Sequence, residues 1–164
     1  MFLPHFRTLA TYNRWSNVRL YDACTGLGDA ARKQDRGAYF GSIHNTLNHI
    51  LVGDRAWLDR VEGIDTGPAT LDAVLFDNFD ALRQARAAED DRIDRVLMGL
   101  DETRMAGDLS YRNVAGESHR TPLRLVLTHL FNHQTHHRGQ VHGMLSQAGA
   151  SPPELDLIYY VRTL

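Results

Sequence analysis

The chain has a single cysteine, Cys24, so no disulfide can form within it. That fits a reducing, cytoplasmic setting. Cys24 itself reads as a small core residue and not as a nucleophile. No apolar run approaches the ~20 residues that a membrane-spanning helix needs, so no membrane partner is expected. The opening, Met1 to Arg7, also lacks a long apolar stretch and is expected to be mature sequence, not a signal peptide. Basic residues are scattered, with no run of five or more, and the net charge is −2. Neither supplies the electrostatic footprint of a nucleic-acid or anionic-membrane binder. There is no internal repeat and no low-complexity tract, and alternation of strand type is weak.

What remains is an ordinary soluble composition, 43% hydrophobic and 23% charged over 164 residues. That length suits one domain, 1–164, with a sizeable core. Four long segments have helical character. The first runs from about Pro4 to Leu27, before Gly28. The second opens at Gly41-Ser42, with Ser42 as its cap, and ends at Gly63. The third starts between Leu71 and Asp77 and ends between Gly99 and Gly107. The fourth starts with Thr121 as a cap and Pro122 at the first helical position, and stops at Gly149. Between the third and fourth, Gly116-Glu117 offers the turn of a short hairpin. The apolar tail, Leu155 to Val161, is expected to pack back on the bundle or on a second subunit. The expected fold is all-α, an antiparallel four-helix bundle with a short irregular or hairpin connection before the last long helix.

Five of the nine histidines crowd into the fourth segment: His129, His133, His136, His137 and His142. Helical residues four apart are neighbours on one face, so two imidazoles so spaced can converge on one metal ion. On a wheel of ~100° per residue, His137 falls inside the apolar stripe of Leu123, Val126, Leu127, Leu130, Val141, Met144 and Leu145. His133 falls at its edge, whereas His129, His136 and His142 lie off it. Two buried imidazoles need partners, either a shared metal or hydrogen bonds to other core polar groups. The glutamate of H-E-x-x-H is missing, because position 134 is Gln134, which argues against a zincin-type hydrolase. Candidates for a third ligand lie on the second segment: Asp54 near the centre of its apolar stripe, His44 at one edge, His49 well off it. Periodicity alone favours Asp54, which reads equally as a buried acid paired with an arginine or a histidine.

The chain resembles the DinB-like (DinB/YfiT-like) metalloenzymes, the family of the damage-inducible DinB protein. The resemblance covers nearly the whole sequence. It rests on Tyr12 to Asn17, on Leu47-Asn-His49 through Asp54-Arg-Ala-Trp57, on Tyr111-Arg-Asn, on His129-Leu-Phe-Asn-His133-Gln-Thr-His136-His137-Arg138-Gly-Gln140, and on Pro153 to Tyr160. It implies a four-helix bundle holding one divalent transition metal ion per chain, zinc or nickel. The ligands it implies are His49, His133 and His137. That agrees with the wheel for the fourth helix and not for the second, where Val52 and Ala56 near His49 suggest a second apolar face and a homodimer interface. His136 and Arg138 are then outer or structural groups, Arg138 most simply in an ion pair, and Asp54 could accept a ligand's free N–H. Through related members the resemblance implies a metal-dependent transferase that moves a low-molecular-weight thiol onto a small electrophile. Alternatives are metal-assisted hydrolysis of a small substrate, with Asp54 as base, and a non-catalytic metal-binding stress-response protein.

Overall fold

A computed structural model describes residues 2–64 and 70–164. Its elements are α1 (Leu3–Thr25), α2 (Asp29–Lys33), α3 (Ile43–Glu62), α4 (Phe79–Gly99), α5 (Glu102–Ala106), β1 (Asp108–Arg112), β2 (Ser118–Pro122), α6 (Leu123–Gln147) and α7 (Leu157–Val161). Side chains cap the starts of α3, α4 and α5. Ser42 Oγ accepts the Asn45 N–H at 3.1 Å, Asn78 caps Ala81 at 2.9 Å and Asp101 caps Arg104 at 2.7 Å. Gly63, in the left-handed conformation (φ 73°), ends α3. The expected Thr121 cap is corrected. Thr121 and Pro122 belong to β2, paired with Leu109 and Asp108, and α6 begins directly after that strand. The turn of the hairpin does fall at Gly116, whose φ is 83°.

The four long helices pack in a ring in which α1 and α3 each touch both α4 and α6. Cross-helix contacts give the directions. Arg14 meets Asp94 and Asp22 meets Arg83, so α1 and α4 are antiparallel. His49 meets His137 and Trp57 meets His129, so α3 and α6 are antiparallel as well. Yet Asp54 meets Arg86 while Glu62 meets Arg92, so α3 and α4 run the same way. Phe6 against Phe131 and Asn13 against Arg138 make α1 and α6 parallel too. The uniformly antiparallel bundle is therefore corrected to up-down-down-up. The long connection from Glu62 to Phe79 returns the chain to the end where α3 began, which a tight turn could not do. The fold is also not purely helical, since β1 and β2 form an antiparallel pair.

The core has two apolar halves. Leu3, Phe6, Leu58, Leu97, Leu127 and Phe131 represent one. Leu20, Cys24, Leu47, Leu51, Leu82 and Leu145 represent the other. Between them lies a buried polar layer fed by all four long helices: Asn13 and Asn17, Asp54, Arg86 and Asp90, Gln134 and Arg138. The tail packs back as expected, with Tyr160 against Tyr12 and Trp15. Among the described residues no helix is long and apolar enough to cross a membrane.

Candidate metal centre

The expected α6 pair and His49 of α3 come together. The Nε2 atom of His49 lies 3.0 Å from that of His133 and 3.2 Å from that of His137. The three imidazoles form a group whose ligand atoms all lie within 4.8 Å of one another. His49 reaches this place although it is off the main stripe of α3, because α3 has no single exposed face. Val52 and Ala56 are buried by the chain itself, so the second apolar face needs no partner subunit to explain it.

Hydrogen bonds fix the tautomers of two of the rings. His49 Nδ1 lies 2.7 Å from the Leu71 carbonyl oxygen, which can only accept, so the proton sits on Nδ1. His137 Nδ1 donates to Gln140 Oε1 at 2.9 Å, and the Gln140 amide nitrogen donates in turn to His136 at 3.1 Å. Both Nε2 atoms are then bare lone pairs facing each other at 3.2 Å. Two acceptors so close repel unless a cation lies between them. Protonation is a poor remedy here. Burial lowers the affinity of His49 and His137 for a proton, and burial with the neighbouring imidazoles pushes His133 down to about 3. Nitrogen ligands of one tetrahedral zinc ion stand about 3.3 Å apart, so the donor set and its spacing fit a divalent ion.

The surroundings hold the rings in place. Phe40 stacks on His49, with centroids 3.8 Å apart and planes at 21°. The turn that delivers Phe40 is flanked by Gly37 and Gly41, both at positive φ. Gly53 lies beneath His133, where a Cβ would meet the ring Cε1 at 2.8 Å. A cavity of about 680 Å³ opens onto His49 and His137, lined also by Tyr39, Phe40, Asn45, Leu71 and Asp72. Of these partners, only Gln140 had a sequence signal, its position three residues after His137. Phe40, Leu71 and Gly53 arrive through the tertiary fold.

The other candidates lie elsewhere. Asp54 accepts from Arg86 and Gln134 and bonds no histidine, so it does not orient a ligand and its carboxylate is committed to those two partners. Burial pushes its carboxyl up while Arg86 pulls it down. Arg86, despite its own burial, is held above its ordinary value by Asp90 and Asp54. Arg138 is in no ion pair among the described residues. It is 3% exposed and donates to Asn13, Asn17 and Gln134. His44 is tied to the Phe76 carbonyl at 2.8 Å, and His129 packs between Trp57 and His133.

Comparison with known proteins places these features. The family model of the DinB family matches residues 1–163. The protein DinB of Bacillus subtilis (strain 168) is 25% identical over 162 residues, spanning 93% of this chain and 91% of that protein. The crystal structure of a DinB-like protein from Bacillus cereus ATCC 10987 superposes with a TM-score of 0.70 at 20% identity, covering 88% of this chain and 91% of that one. At that identity the likeness concerns the fold.

Proposed function

The chain belongs to the DinB family, and from that premise we propose that it holds one divalent ion, zinc or nickel, on His49, His133 and His137 and activates a small thiol for transfer to an electrophile. The observation that carries this reading is the pair of bare Nε2 lone pairs of His49 and His137 at 3.2 Å, with His133 Nε2 beside them. When bound, such an ion supplies a Lewis acid that makes a thiol nucleophilic near neutral pH.

The chain's own residues do the rest. Leu71 and Gln140 hold two of the rings through their outer nitrogens, which orients the inner ones. Phe40 and Tyr39 give the adjoining cavity an aromatic wall. Hydrolysis is the weaker reading, because Asp54, the base it would need, is committed to Arg86 and Gln134.

Cobalt(II)-loaded protein titrated with 2-mercaptoethanol tests the proposal. The expected result is a new sulfur-to-metal charge-transfer band that saturates. A spectrum indifferent to the thiol overturns the transferase reading.

A further inference from the structure

A second cavity, about 940 Å³, lies between the C-terminal half of α3 and the β1–β2 hairpin. None of the three clustered histidines lines it. Arg60 follows His49 by eleven positions on α3, about 16 Å along the helix axis. At the cavity wall the Arg60 guanidinium lies over Trp57, 4.6 Å from the ring centroid, and over Tyr111 at 5.4 Å. It is half-buried, and among the described residues no carboxylate is within ion-pair distance of it. Arg112, His119 and Arg120 also line the cavity. Arg120 is held by Asp108 at 2.8 Å, and Arg112 has no such partner among the described residues. The carboxylate of the lining, Asp59, is engaged by Arg92 at 2.6 Å. Ser110 and Ser118 add hydroxyl donors.

We propose that this cleft is a second binding site, for a small molecule bearing a phosphate or carboxylate group, with Arg60 as its central contact. A guanidinium packed over two rings has less rotamer freedom left to lose. Its unused N–H donors form the planar fork that matches an oxyanion. Burial works against the charge of Arg60 more than Tyr111 and Asp59 support it, and an anion in the cleft relieves that cost. The aromatic faces of Tyr111 and His119, stacked 5.5 Å apart, offer the apolar body of such a ligand a surface. A nucleic-acid backbone is disfavoured as occupant by the net charge of −2.

The test is a titration of the full-length protein with inorganic phosphate and, separately, with succinate, followed by backbone amide NMR. Saturable shifts confined to residues around Arg60 and from Tyr111 to His119 are expected with at least one of the two. Response to phosphate alone assigns a phosphate ester; response to succinate alone assigns a carboxylate. Arg60→Gln, which keeps most of the stem, is expected to weaken binding by about tenfold or more. Arg112→Gln, an exposed change that spares the fold, is expected to weaken it less. Two controls should leave binding unchanged: His133→Ala, in the other site, and Arg19→Ala. Arg19 lies 4.7 Å over the Trp15 ring but lines neither this cleft nor the histidine cavity. No saturable response to either anion overturns the proposal. So does binding that survives both cleft variants or is lost equally in Arg19→Ala.

Discussion

Two polar clusters lie at the same level of the bundle and adjoin at α6, where Gln134 is placed between His133 and His137. The inner one, Asp54, Arg86, Asp90 and Arg138 with their amide partners, joins four helices and balances two cations with two anions. The outer one is three imidazoles beside a cavity, with the Nε2 lone pairs of His49 and His137 turned on each other. Both clusters are polar and largely buried, so burial alone does not tell them apart. What distinguishes them is charge pairing. The inner cluster sets acids against arginines, whereas the outer cluster holds a donor set, three imidazoles and no acid, that fits a divalent ion.

Breaking the inner cluster is expected to have the largest effect. Arg86→Met leaves Asp54 and Asp90 buried without their shared cation and is expected to cost about 3–5 kcal/mol in urea unfolding. His133→Ala, measured in chelator-treated protein, should stay well under that figure. Metal affinity inverts the comparison. His133→Ala is expected to abolish retention in equilibrium dialysis, a larger loss than the ~10–100-fold that removal of an outer hydrogen-bond partner brings. Gln140→Leu, which frees His137 Nδ1, is expected to fall within that smaller range. Gly53→Ala should weaken binding too, by driving the His133 ring from its position, while circular dichroism stays helical. Chelation alone is expected to leave the far-ultraviolet spectrum unchanged, because two apolar halves and the inner layer hold the fold without the ion.

The smallest effect concerns pH. In metal-free protein His133 stays neutral down to about 3, whereas an unfolded histidine takes a proton near 6.5. Between those values the unfolded state binds more protons, so stability falls as the pH is lowered from 7 toward 5. Melting temperatures over that range should fall less steeply in His133→Ala.

Much of this was legible in the sequence. Ser42 marked the start of α3, and Gly63 its end. The i, i+4 pair His133 and His137 followed from the wheel. For Asp54 periodicity favoured a third ligand and allowed equally a buried acid with a partner; the structure gives the second, with Arg86 as that partner. His49 was not legible from periodicity, because α3 is buried against α4, against α6 and beneath residues 71–76, which leaves no single stripe to read. Only the family resemblance pointed to it. The parallel pairing of α3 with α4 was hidden for another reason. Amphipathic patterns define faces, not directions, and the length of the connection from Glu62 to Phe79 was the sole clue. Arg138 deceived by type, since buried arginines usually meet carboxylates and this one meets three amides.

The most direct test is the metal content of untagged protein purified without metal-affinity resin, wild type beside His49→Ala and His133→Ala, by elemental analysis. Near one equivalent per chain in the wild type and almost none in either variant is the predicted result. A wild type that stays empty after reloading, or variants that keep the metal, would contradict the three-histidine centre.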